Sequence, residues 1–117
     1  MNDLTFGKLN TALGATAFSV SGANLTIDLS LLMGESSISL TDEKLAEFIT
    51  NLLDVASTAQ TAFNADSANT TKLASYPTPV SGVPSLDSAS GKYYVTSTYS
   101  FDSRAPLNKA ETTAVPA

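Results

Sequence analysis

The chain has 117 residues, no cysteine, histidine or tryptophan, and a formal net charge of −5. That length suits one domain with a core of its own, and the lack of cysteine excludes disulfide staples and thiolate metal sites. Without histidine there can be no Ser–His or Cys–His nucleophile pair and no His-bound zinc within the chain, so the composition points away from an enzyme and implies no cofactor.

The six cations (Lys8, Lys44, Lys72, Lys92, Arg104 and Lys109) are scattered singly. Such a pattern gives no basic footprint for nucleic acid and no attraction to an anionic membrane. Charged residues make up 15% of the chain, against roughly a quarter in ordinary domains. Serine and threonine number 31 and alanine 16. A surface of hydroxyls and methyls repels its neighbours weakly and suits a subunit packed among others. No basic segment follows Met1, and an apolar run such as Leu31–Met33 is far short of a membrane span. A cytoplasmic location is expected.

Residues 3–13 read as a short helix, capped by Asn2 or Asp3, with Phe6, Leu9 and Leu13 at helical spacing and Gly14 as the C-terminal cap. A hairpin follows, with strands over 15–21 and 24–32 joined by Ser21-Gly22-Ala23-Asn24. Leu25, Ile27, Leu29 and Leu31 alternate with Thr26, Asp28 and Ser30, which places Asp28 outside as a solubilising charge.

The strongest element is a helix over 41–65. Thr41 is its expected N-cap, Asp42 and Glu43 suit its first turn, and Leu40 with Leu45 has the spacing of a hydrophobic staple. Leu45, Phe48, Ile49, Leu52, Leu53, Ala56, Ala59 and Phe63 form its apolar stripe. The other face carries Ser57, Thr58, Gln60 and Thr61, which fits either mild exposure or contact with another subunit.

Residues 66–91 are rich in Ser, Ala, Asn, Pro and Gly, and Pro77, Pro79 and Pro84 impose an extended loop. A strand over 92–102 follows. Alternation assigns Tyr93, Val95, Ser97, Tyr99 and Phe101 to the core, and Tyr94, Thr96, Thr98 and Ser100 to the outside. Residues 103–117 form a tail without periodicity. The expected architecture is α+β: a single domain over 1–102, with an antiparallel sheet of about three strands packed on one long amphipathic helix.

Motifs for chemistry are weak. Gly91-Lys92 ends no phosphate loop, since Leu86 stands where the first glycine belongs and Tyr93 replaces the magnesium-binding hydroxyl. Ser90 and Lys92 lack an oxyanion-hole signature. Asn64–Asn69 has alternating oxygen ligands, but lacks the glycine and the closing acid of a calcium loop. Asp42, Glu43 and Glu47 are explained by the helix dipole.

Three features together carry a resemblance: the hydroxyl- and alanine-rich chain lacking Cys, His and Trp, the connector "YPTPVSGVP", and the end "PLNKAETTAVPA". The chain is similar to small structural proteins of bacteriophage particles, of the head-decoration (cement) or tail-subunit type. The resemblance implies a non-catalytic, multi-copy building block of a virion, assembled in the host cytoplasm. Its partners would be copies of itself and other capsid or tail proteins. Contacts are expected from the loop and termini, at Tyr76, Pro77, Pro79, Pro84, Tyr94, Leu107 and Val115. The alternative is a small peptide- or glycan-binding module that uses the exposed tyrosines Tyr76 and Tyr94.

Overall fold

A computed structural model of the chain describes residues 3–103. The fold is α+β, with three helices and three small antiparallel two-stranded sheets among the described residues. Helix α1 (Phe6–Leu13) starts at Thr5, whose hydroxyl accepts from the Lys8 amide, and stops at Gly14 in the left-handed conformation. The cap is thus Thr5, not Asn2 or Asp3. Strands β1 (Phe18–Ser21) and β2 (Asn24–Ile27) form the expected hairpin, in the register Phe18↔Ile27 to Ser21↔Asn24. Its two-residue loop has φ +60° at Gly22, and no non-glycine described residue has positive φ. That combination belongs to the type II′ turn, whose twist matches that of the strands.

Two expectations fail just beyond the hairpin. The second strand ends at Ile27, and residues Leu29–Met33 form a short helix, α2, closed by Gly34 at φ 70°. Asp28 is its N-cap: Oδ1 accepts from the Ser30 amide at 3.0 Å and from the Ser30 hydroxyl at 2.6 Å. The Ser30 hydroxyl, then the Leu31 and Ser30 amides, hold its carboxyl below the ordinary aspartate range. A capping aspartate followed by helix-compatible leucines outweighs the alternation pattern. Leu32 is therefore the buried leucine, while Leu31 is exposed.

Helix α3 (Leu45–Ala65) is the long helix, and with Lys44 at the cap position it begins three residues later than a Thr41 cap predicts. Asp42 accepts instead from the Ser39 amide at 2.8 Å, closing a tight turn before the helix. Leu40 is fully exposed, so no staple with Leu45 forms. Lys44 anchors the start, with Nζ 2.7 Å from Glu35 and 3.2 Å from Glu47. Glu35, then Glu47, raises the pKa of the ammonium.

The core joins Leu9, Ala17, Phe18, Leu32, Val55, Ala56 and Ala59, with Phe48, Leu52 and Tyr76 packed on it. Only part of the expected stripe is buried, since Leu45 and Ile49 are exposed. On the opposite face, Ser57 and Gln60 are buried within the chain itself, so they are unavailable to another subunit.

Extended segments are fastened to the helices by side-chain amides. The Asn10 amide donates to the Phe18 carbonyl and accepts from its N–H, both at 2.9 Å. Asn64 does the same to Leu73, both at 2.9 Å, and Gln60 to Tyr76, both at 3.0 Å. Each carboxamide offers one donor and one acceptor side by side, the pattern that a neighbouring β-strand would present.

The expected three-stranded sheet does not form. Residues 66–91 are not one continuous loop, because they contain β3 (Val80–Ser81) and β4 (Ser85–Asp87). The expected strand over 92–102 is divided into β5 (Lys92–Tyr94) and β6 (Ser97–Thr98). Strand β3 pairs with β6 and β4 with β5. Residues 80–98 thus make one interrupted hairpin, separate from β1–β2. Between the two ladders Gly82, Val83 and Pro84 face only Val95 and Thr96, with one bond from the Gly82 amide to the Thr96 carbonyl at 2.8 Å. This is a bulge, placed where Pro84 has no N–H to give a ladder.

Candidate functional site

An apolar groove of about 560 Å³ lies between the start of α1, the middle of α3 and the segment around Tyr76. Its volume falls within the usual range for ligand pockets, roughly 300–1,000 Å³. Leu9 and Ala56 are buried lining residues, Phe6 and Phe101 are exposed ones, and Leu52 and Leu53 come from α3. Helical spacing places Leu52, Leu53 and Ala56 on one side of α3. The Asp102 amide donates to the Ser75 carbonyl at 2.9 Å. This bond sets Phe101 beside Tyr76, with ring centroids 5.6 Å apart and planes tilted by 41°.

Asp3 is the charged residue of the groove lining. Its Oδ1 accepts from the Tyr76 hydroxyl at 2.8 Å and from the Leu4 amide at 2.7 Å. Burial, reinforced by the hydrogen bond and charge of Asp3, pushes the Tyr76 phenol up to about 12. Both causes favour the neutral phenol. Tyr76 is therefore a neutral, hydrogen-bonded wall of the groove.

The second feature is the 80–98 arm. Every residue in it is exposed except Asp87, which is half-buried. Val83 has 88% of its surface in solvent, Tyr93 72% and Val80 68%; Leu86, Tyr94 and Val95 are also exposed. Leu86 and Tyr93 are direct cross-strand partners, so their side chains share one face. The arm ends in a turn built on Asp87, which accepts from the Ser90 hydroxyl at 2.7 Å and the Ala89 amide at 3.3 Å, with Gly91 at φ 70°. These bonds, the Ser90 hydroxyl first, hold the Asp87 carboxyl below its ordinary range.

The expected contact residues are divided between these features. Tyr76 lines the groove, Pro77 and Pro79 are half-buried in the segment leading to the arm, and Pro84 and Tyr94 are exposed on the arm. Leu107 and Val115 lie outside the described residues. Tyr93 and Phe101, expected in the core, are exposed. Tyr99 is half-buried. The separation of Tyr93 from Tyr94 into core and surface is thus corrected: both project from the arm.

Other candidate chemistry is absorbed by local structure. The Ser90 hydroxyl serves the turn, donating to Asp87 and accepting from the Lys92 amide at 3.3 Å. Within Asn64–Asn69, Asn64 fastens Leu73, Asp66 accepts from Ala68, and Asn69 donates to the Phe63 carbonyl. Among the described residues no helix is long and apolar enough to cross a membrane, and no group of three or more acidic residues could hold a metal ion. Residue types alone did not reveal Asp3, Phe6, Leu53 or Leu86 as site residues. The signal that could have found Leu86 is its position in "SLDSASGKYY", where a turn stands between two apolar-bearing segments.

Neither a protein-family model, a curated protein nor a solved structure matches this chain.

Proposed function

We propose that this chain is a non-catalytic structural subunit of a larger assembly, and that it binds its neighbours through the 80–98 arm. The single observation that carries the reading is a ribbon with Val80, Val83, Leu86, Tyr93, Tyr94 and Val95 all exposed. A two-stranded ribbon is only marginally stable alone in water, and exposed apolar patches of this kind mark interaction sites. A neighbour packed on the arm would bury that surface and steady the ribbon. Composition supports the more specific proposal of a virion component, a capsid-decoration or tail subunit. A surface of hydroxyls and methyls suits close packing among like subunits.

The test is the mass of the protein in solution, by sedimentation or light scattering over a wide concentration range. The wild type is expected to self-associate. A chain with Leu86→Ser and Tyr93→Ser together should stay monomeric, and should melt as the wild type does at concentrations where the wild type is monomeric, because neither side chain contributes to the core. A wild type that is monomeric throughout, or a double variant that assembles equally well, overturns the reading.

A further inference from the structure

We infer that the seat for the arm is the apolar groove of a second copy, with Lys92 of the incoming arm paired to Asp3 of the receiving chain. This rests on the reading of the arm as the assembling element, and it names the surface that receives it. Three observations converge. The groove is lined mainly by apolar side chains, and its charged residue is Asp3. Among the described residues, both hydrogen bonds that Asp3 accepts fall on Oδ1, and none on Oδ2. The arm presents the Leu86–Tyr93 pair on one face, with Lys92 next to Tyr93 as the arm's one cation. A lysine's flexible four-carbon stem lets its ammonium swing around the ribbon edge to a carboxylate at the rim of the groove.

Charge also selects this occupant. The whole chain carries −5, so copies repel one another in general. Residues 80–98 hold one acid, Asp87, and one base, Lys92, and are neutral as a unit. Asp87 and Lys92 are cross-strand partners and both lie on the face away from Leu86 and Tyr93; Ser90 engages the Asp87 carboxylate in the turn, so of the two only the longer Lys92 side chain reaches round the ribbon edge. The Leu86–Tyr93 face can therefore approach Asp3 without like charge in front. Arm and groove are different surfaces, so each copy is at once donor and acceptor. Contacts of this heterologous kind generate rings or filaments.

The test exchanges the two charges. Asp3→Lys gives a chain that is positive in both groove and arm, and Lys92→Asp a chain that is negative in both. Each alone should associate roughly tenfold more weakly than the wild type. Mixed in equal amounts they should associate again, in alternation, because every arm then meets a groove of opposite sign. A mixture no better than its components, beside a self-associating wild type, overturns the groove as the seat and leaves the arm reading standing. A wild type that never associates overturns both. Carbodiimide coupling of the unmodified protein gives a readout free of folding effects. Cross-linked oligomers are expected to yield an Asp3–Lys92 peptide pair, and oligomers lacking it overturn the inference.

Discussion

Gln60 holds Tyr76 by both backbone groups: its Nε2 donates to the Tyr76 carbonyl and its Oε1 accepts from the Tyr76 amide, each at 3.0 Å. This pair of bonds fixes the segment that carries the tyrosine ring, and so shapes one wall of the groove. Gln60 is buried, and the arrangement leaves none of its polar atoms unmatched.

Gln60→Leu keeps most of the volume and removes both bonds. It is expected to cost about 1–3 kcal/mol, the penalty for leaving partly buried polar groups unmatched. Denaturant unfolding measures it. An unchanged midpoint would remove the clamp from the account of what holds the groove together.

Tyr76 sets the alkaline limit of its own contribution. Its folded pKa of about 12 lies above the ordinary 10.0. The raised value favours the protonated state on folding, so this stabilisation is complete below pH 10 and is lost as pH rises toward 12. Ultraviolet titration should show a tyrosine step near pH 12. Tyr76→Phe should abolish that late step. A titration that lacks this step in the wild type would contradict the buried, hydrogen-bonded phenol.

Gly22 tests the first hairpin. Its φ is +60°, and a Cβ placed there meets nothing within 4 Å. The cost of Gly22→Ala is therefore one of backbone conformation alone, roughly 1–3 kcal/mol for a side chain in a sparsely populated positive-φ region. Thermal unfolding reads it directly, and a neutral substitution would argue for a different turn.

Phe18 and Tyr93 should respond in opposite ways to truncation. Phe18 is 3% exposed and Tyr93 72%. Phe18→Ala is expected to destabilise the fold by about 3–5 kcal/mol, whereas Tyr93→Ala should fall within about 0.5 kcal/mol of the wild type. Comparing the two at a concentration where the wild type is monomeric separates folding from association. A large loss for Tyr93→Ala there would place the ring in the core after all.

Local signals explain why some elements were legible and others were not. The glycines at 14 and 22 mark a helix end and a turn by the one property that glycine alone supplies, and the body of α3 follows from its periodicity. Helix α2 is ambiguous in the sequence because "IDLSLLMG" satisfies both alternation and a capping aspartate, and the cap prevails. Thr41 does not cap α3, because Asp42 bonds backward to Ser39. The clamps were illegible in principle, since Gln60 and Asn64 look like surface polar residues until the segment from Leu73 to Tyr76 is laid across them. The reading of 92–102 as one alternating strand failed at Val95 and Thr96, where long-range pairing with β3 and β4 changes register. The groove depends on residues as distant as Asp3 and Phe101, which no local pattern connects.

The bulge at Gly82–Pro84 has a consequence for solubility. A flat ribbon with exposed valine, leucine and tyrosine would serve as a template for strand after strand of other copies, the route to fibrils. Here the ladders are only two and three residues long on either side of the interruption. Pro84 gives no amide to an incoming edge, and the bulge twists that edge out of line. The arm can thus be apolar on its face and still be a poor seed, so that its stickiness is confined to partners shaped to receive it.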